Sequence, residues 1–379
     1  MKNIVIFIGG YLPAKKYGGP VTSISNLTQH LGNEYNFYII TFDHDLGESQ
    51  RLQGITEGWN KVGNAQVMYL NEKEFKPKRV KKILSEINAD LVCLSSIMLY
   101  KMTLPVLRVA KELGIPVLLA PRGELSSAAL EIRKSKKRIY LLLLKLLGVF
   151  SGVTFQATSE DELSDTNRVL NVSKNNIVFL PNMPCSIKSG VSHGTKDQGF
   201  ARFVYIGRIH RIKNLLFALE CLYNVKGNII FDIYGPLQDT EYWKQCESVI
   251  ARLPDNISVN YKGQLEPGNT QSVFSEYDCF LFPTTSENYG QVVAEAISSG
   301  CHVIISKGTT PWDDIDERGG YAVSLDAPEL WTQRVNEVIS WNSDFKTERD
   351  ALLRDYAEEK LEVTSLKAMY HTVFDDLIK

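Results

Sequence analysis

Residues 279–296 read CFLFPTTSENYGQVVAEA, an apolar run that breaks at Pro283 and gives way to a carboxylate, two polar residues and a glycine ahead of a small-residue segment. A short continuous apolar run bounded by turn residues reads as a strand buried on both faces, and the Val- and Ala-rich segment behind Gly290 reads as a helix. In an open parallel sheet, ligands bind beyond the carboxyl ends of the strands, so the loop 286–290 is a place to look for a site. Were Glu287 and Glu295 both helical, the eight-residue separation would set them about 80° and about 12 Å apart, and they would not share a face. With a helix that starts near Asn288 to Gly290, Glu287 stays in the loop at its mouth and Glu295 sits about a turn in. The backbone N–H groups of Asn288, Tyr289, Gly290 and Gln291 then form an anion site, and Gly290 lets a ligand approach closely. A ligand with hydroxyls at both ends and phosphates between them suits this layout. A capped, buried helix with an incidental acidic residue fits it as well.

Upstream, the strand-like FVYIG runs into Gly207-Arg208-Ile209-His210-Arg211-Ile212-Lys213-Asn214. Arg208 can fork onto a phosphate and Lys213 can add a point charge; His210 and Arg211 read as solvated, which is also the plainer reading of the whole loop. Gly18-Gly19-Pro20 precedes the first helix, either as an ordinary turn or as a backbone that touches phosphate. Neither G-x-G-x-x-G after the first strand nor G-x-x-x-x-G-K-[ST] occurs, so the dinucleotide and P-loop fingerprints are missing. Asp43-His44-Asp45 has the look of a metal-binding D-x-D, but a solvated loop is the expected reading.

Outward from these loops the chain alternates short β-branched runs with helical stretches: NIVIFIG, YNFYIITF, AQVMYL, DLVCLSS, PVLLAPR, VTFQATS and NNIVFLPN in the first half, RFVYIG, NIIFDIYGP, ISVNYKG, DCFLFPTT and HVIISKG in the second. This is the rhythm of parallel sheets covered on both faces. Between the halves, residues 184–200 lack apolar periodicity and read as a surface linker. With 379 residues, two domains are the default. The expectation is an α/β chain: an N-terminal domain over 1–185, a linker over 186–200, a C-terminal domain over 201–360, and a helix over 361–379 that packs back on the first domain. The net charge of −2 points to no nucleic-acid partner. The six cysteines are scattered without zinc-like spacing, as suits reduced thiols in the cytoplasm. The N-terminus reads as a buried strand rather than a signal peptide, and no apolar run is long enough to span a bilayer.

Together these residues resemble the family 4 retaining glycosyltransferases, also called group 1, whose GT-B architecture has two facing Rossmann-like domains and an interdomain cleft. The family's E-x7-E signature matches Glu287 to Glu295, its G-R-x-x-x-x-K element matches Gly207, Arg208 and Lys213, and its N-terminal Gly-Gly loop matches Gly18-Gly19. The resemblance implies that Arg208 and Lys213 hold the donor diphosphate and that Glu287 binds the donor sugar. It also implies that Asn288, Tyr289 and Gly290 touch sugar or phosphate, that Glu295 binds the ribose, and that Tyr261 to Gly263 lie near the base. The chain departs from the family in the loop Ala120-Pro121-Arg122-Gly123-Glu124, where many members carry a His. A PRG loop resembles a bacterial subset that makes surface polysaccharides, as does Thr309-Thr310-Pro311-Trp312. Arg122 either replaces that His, binds the acceptor, or pairs with Glu124.

The implied activity is metal-independent, retaining transfer of a hexose from a nucleoside-diphosphate sugar, UDP-linked before GDP-linked, to a glycan or polyprenyl-diphosphate-linked glycan in bacterial polysaccharide, lipopolysaccharide or capsule biosynthesis. No cofactor is implied. A sugar-nucleotide 2-epimerase of the same fold and a non-catalytic nucleotide-sugar binding module are the alternatives. Residues 131–150, EIRKSKKRIYLLLLKLLGVF, put cations before a leucine-rich run; they read either as a surface helix on an anionic membrane or as a buried helix with a basic entry. The expected location is the cytoplasm, free or at the inner face of the cell membrane.

Overall fold

The computed structural model describes residues 1–131, 134–187, 196–266, 268–316 and 318–379. Residues 188–195 of the expected linker and 132–133 of the basic segment lie outside the described residues. The chain divides into two compact units, Met1–Met183 with Val363–Lys379, and Pro184–Glu362.

The first unit holds β1 (Lys2–Phe7), β2 (Tyr35–Phe42), β3 (Trp59–Val62), β4 (Ala65–Leu70), β5 (Leu91–Leu94), β6 (Val117–Leu119), β7 (Val153–Ala157) and β8 (Ile177–Phe179) in the order 3-4-2-1-5-6-7-8. Ile4, Val5 and Ile6 of β1 are fully buried, as a central strand covered on both faces requires. All neighbours pair in parallel except β3 with β4. That exception is a hairpin whose outer strand alternates exposed and half-buried residues, too polar to stand out in the sequence. Strand order reverses at β1, which pairs with β2 on one side and β5 on the other.

The second unit holds β9 (Phe200–Ile206), β10 (Asn228–Tyr234), β11 (Ile257–Gly263), β12 (Cys279–Phe282), β13 (His302–Ser306) and β14 (Tyr321–Val323), parallel throughout, in the order 11-10-9-12-13-14. The reversal falls at β9, between β10 and β12. Loops leaving β9 and β12 therefore diverge where such sheets open a crevice.

The linker packs more closely than its sequence suggests. The described flanks of the linker pack on the second unit: Cys185 is buried with its Sγ 2.9 Å from Ser298 Oγ, and buried Lys196 stands 3.5 Å from the Asp278 carboxylate. Low periodicity concealed these contacts because each is made to residues distant in sequence. The C-terminal stretch is two helices, Ser343–Lys360 and Val363–Leu377. The first buries Leu353 and Tyr356 in the second unit's core, whereas the second puts Tyr370 and Phe374 into the core of the first unit, against Tyr35. Among the described residues no helix is long and apolar enough to cross a membrane.

Candidate functional site

The helix behind SENYG begins at Gln291 and runs to Ser298, with Gly290 as its cap at φ 72°. Glu287 therefore stays in the loop, and Glu295 lies in the second turn of the helix, buried. Gly290 tolerates this left-handed conformation without strain, whereas other residues pay roughly 1–2 kcal/mol for it. The N–H groups of Val293 and Ala294 both bond the Gly290 carbonyl, at 2.8 and 3.3 Å. The Gln291 side chain is buried, and its amide nitrogen and oxygen have no partner among the described residues.

The loop is held from three sides. Glu287 donates its N–H to the Thr309 carbonyl at 2.8 Å. Thr285 donates its N–H to the Ile212 carbonyl at 2.8 Å, and the Thr284 hydroxyl reaches the same carbonyl at 3.1 Å. Trp312 donates its indole N–H to the Tyr289 carbonyl at 2.6 Å, and the two rings meet edge to face at 5.5 Å. The Thr284 and Ile212 contacts join the loop after β12 to the loop after β9.

That junction brings the charged pair together. Residues Arg211–Lys213 form a 3-10 turn, capped by His210, whose Nδ1 accepts the Ile212 N–H at 3.2 Å. Lys213 Nζ bonds Glu287 Oε1; the ammonium also stands 5.5 Å from the Phe282 ring centre. Both side chains are more than four-fifths buried, at 16% and 12% exposure, so this pair is screened less than a surface ion pair. Arg208 is exposed and donates to Gln238 Oε1 at 2.9 Å. Arg211 pairs with Asp239 at 3.2 Å on the surface. Burial, and after it the Arg208 charge, pull the His210 imidazole below its ordinary range. Beneath the loop, burial pushes the Tyr205 phenol well up; its hydroxyl reaches the carbonyls of Arg208 at 3.4 Å and Lys213 at 3.5 Å.

Gly207 and Gly235, at the ends of β9 and β10, nearly touch: a Cβ on Gly235 would stand 1.9 Å from the Gly207 carbonyl oxygen. Tyr261 donates its hydroxyl to the Gly235 carbonyl at 2.8 Å, and Gly235 donates its N–H to the Gly263 carbonyl at 2.8 Å. Gly207, Tyr261 and Gly263 thus border one bare stretch of backbone. Sequence reading missed Gly235 and Thr284, and quoted Trp312 within Thr309–Trp312 without placing it against Tyr289. Gly235 carried a signal, being a glycine at the end of a strand; the other two act through contacts between loops far apart in the chain.

In the first unit, Gly18 caps the helix Gly19–Leu31. Arg122 occupies the left-handed region at φ 56°. Its guanidinium donates to Asn182 Oδ1 and, at 3.2 Å, to Ser23 Oγ, within a small cavity also lined by Gln156 and Tyr370. It does not pair with Glu124. The Glu124 carboxylate instead accepts from Ser96 Oγ at 2.6 Å, Ile97 N–H at 2.7 Å and Met98 N–H at 3.1 Å, which fixes the turn after β5. Burial pushes its carboxyl above the usual range. A short acidic chain next to three inward donors finds them before it finds a guanidinium. Asp45 is not solvated: it is buried and accepts the N–H groups of Lys15, Lys16 and Leu46 at 2.8, 3.1 and 2.8 Å. Among the described residues no three His, Cys, Asp or Glu side chains are grouped to hold a metal ion.

Two domains of parallel sheet, with the charged loops at the β9 switch point, are the fold of the GT-B glycosyltransferases. Residues 201–340 match the family described as glycosyl transferases, group 1. The chain is similar over 99% of its length, and 100% of the other's, to Anabaena Alr3699/HepE in complex with UDP and glucose, with a TM-score of 0.75 and 12% identity. It is similar to the sucrose-phosphate synthase of Thermosynechococcus elongatus, at TM-score 0.71, 15% identity and 99% and 100% coverage. The lipopolysaccharide outer core galactosyltransferase WaaB follows at TM-score 0.63, 17% identity and 98% and 99% coverage. No curated protein resembles the chain closely enough in sequence to count as a relative.

Proposed function

We propose that this protein is a retaining glycosyltransferase of family 4 that transfers a hexose from a UDP-sugar to a glycan or lipid-linked glycan acceptor in bacterial surface-polysaccharide biosynthesis. The observation that carries the reading is the Lys213–Glu287 pair, held between the loops after β9 and β12 with Arg208 exposed on the same loop. A diphosphate needs two cations and backbone donors; Arg208, Lys213 and the N-terminus of the helix Gln291–Ser298 supply them by fixed electrostatics. When the diphosphate takes the Lys213 charge, Glu287 is released to accept sugar hydroxyls. Tyr289 and Asn288 flank it, Glu295 is assigned to the ribose, Tyr261 and Gly263 to the base, and Gly18 and Gly19 to the phosphates. The UDP bound to HepE favours UDP over GDP.

No second carboxylate stands beside Glu287 among its described contacts, which favours front-face displacement over a double displacement through a carboxylate nucleophile. The bond from the anomeric carbon to the diphosphate oxygen breaks, the acceptor oxygen bonds the same face, and its proton passes to the departing phosphate. The residues named carry this step without a metal.

The test is the melting temperature of the purified protein with UDP, GDP and NAD in parallel, since a ligand of the folded state raises it by mass action. A rise with UDP that vanishes in Arg208→Ala supports the reading. A rise with NAD alone, or with none of the three, discards it.

A further inference from the structure

The helix Lys134–Leu146 carries two apolar faces. Leu141 and Leu144 are buried in the core of the first unit. Ile139, Leu142, Leu143, Leu146 and Leu147 are 59%, 54%, 51%, 74% and 74% exposed. Their spacing of i, i+3, i+4, i+7 and i+8 makes a complete stripe, but it is turned to solvent, with the core on the other side. A helix buried as a whole would not keep five large aliphatic side chains in water. Tyr100, also exposed, extends the stripe by its contact with Tyr140 at 6.5 Å between ring centres.

Along residues 134–150 the charge beside this stripe has one sign. From residue 134 to residue 150 the chain has five Lys or Arg and no Asp or Glu. Lys136 and Arg138 are exposed in the turns that open the stripe, and Lys145 flanks its far end. Lys134 is the exception, paired with Glu131 at 2.6 Å; Lys137 points inward and bonds the Ala129 carbonyl at 2.6 Å. An aliphatic stripe bordered by cations and an exposed tyrosine matches the boundary between headgroups and acyl chains of an anionic bilayer. It matches poorly with a soluble protein partner, whose contact face is depleted in Lys and enriched in aromatic residues at its centre.

We infer that the helix Lys134–Leu146 docks the protein on an anionic membrane surface, its leucine stripe entering the headgroup layer and Lys136, Arg138 and Lys145 contacting lipid phosphates. This goes beyond the donor site and does not depend on it, since no residue of the second unit takes part.

The experiment is flotation of the whole protein with vesicles of phosphatidylglycerol and phosphatidylethanolamine, and with vesicles of phosphatidylcholine alone. The wild type is expected to float with the anionic vesicles, weakly with the neutral ones, and less as salt rises. Leu142→Ser with Leu146→Ser is expected to lower binding at least tenfold. Lys136→Gln with Arg138→Gln is expected to lower it about tenfold or more on anionic vesicles only. Melting temperature and the UDP-induced shift should be unchanged in both, because these side chains are exposed; Leu330→Ser with Leu352→Ser, also exposed but outside the stripe, is the control. No flotation with anionic vesicles, equal loss in the control, or a concentration-dependent dimer abolished by the leucine changes would overturn the inference.

Discussion

Trp312 and Gly290 occupy one space: the indole Nε1 lies 3.1 Å from where a Cβ on Gly290 would stand, and the same nitrogen bonds the Tyr289 carbonyl. Sequence places these residues on different loops. In the fold, one side chain from the loop after β13 sets the entry angle of the helix that follows SENYG.

Gly290→Ala is therefore expected to cost about 1–2 kcal/mol from its left-handed backbone and more where the methyl meets Trp312. Trp312→Phe keeps a ring but removes the bond to Tyr289, at about 1 kcal/mol. Denaturant melts check both. If Gly290→Ala is as stable as wild type, the cap geometry assigned to this loop is wrong.

Lys213 and Glu287 should separate binding from turnover. Lys213→Ala is expected to weaken UDP binding tenfold or more, about 1.4 kcal/mol, and also to leave a buried carboxylate unpaired. Glu287→Ala is expected to bind UDP near normally yet to transfer sugar at least a hundredfold more slowly. Titration calorimetry with UDP and a turnover assay read the two effects; full activity of Glu287→Ala would end its role.

Acid should loosen the Lys213 turn through His210. Its folded value lies below the ordinary 6.5, with burial as the main cause and Arg208, Lys213 and Arg211 opposed by Asp239 around it. Between 6.5 and that lower value the unfolded chain binds a proton that the native imidazole refuses, so stability falls as pH falls through this window. Protonated, Nδ1 no longer accepts the Ile212 N–H. Melts from about pH 7.5 to about pH 5 should flatten in His210→Asn, which keeps a cap but does not titrate.

Glu124→Ala leaves Ser96, Ile97 and Met98 without their shared acceptor in a buried turn, and each orphaned donor costs on the order of 1–3 kcal/mol. The variant is expected to melt far below wild type while its UDP-induced shift, read at low temperature, persists. Loss of UDP binding with unchanged melting would instead return Glu124 to a ligand role.

Chelation should change nothing. The Asp45 carboxylate is spent on three backbone N–H groups, so EDTA is expected to leave both melting and transfer as they were, whereas Asp45→Ala destabilises. Activity lost to EDTA and restored by a divalent ion would overturn the metal-independent reading.

The repeated apolar runs made both sheets legible, since central strands such as Ile4–Ile6 and Phe280–Phe282 have no polar residue to obscure them. The loops were legible where local chemistry suffices: a helix that starts behind SENYG with Glu287 left in the loop, and Arg208 and Lys213 as cations after a strand. What stayed hidden depends on long-range packing. The Trp59–Val62 edge strand carries no buried residue, Asp45 meets two of its three donors 30 and 29 residues away in the chain, and the periodicity of residues 134–147 is the same whether the leucine stripe faces a core or water.

The first unit is completed by the last helix, whose Tyr370 and Phe374 fill its core. A ribosome therefore delivers all of residues 184–362 after the eight strands of the first sheet and before the helix that covers part of its core, so the second unit has its entire sequence available for folding while that part of the first stays open. A chain stalled before residue 363 would hold the whole sequence of the second unit beside a first unit that lacks Tyr370 and Phe374 in its core.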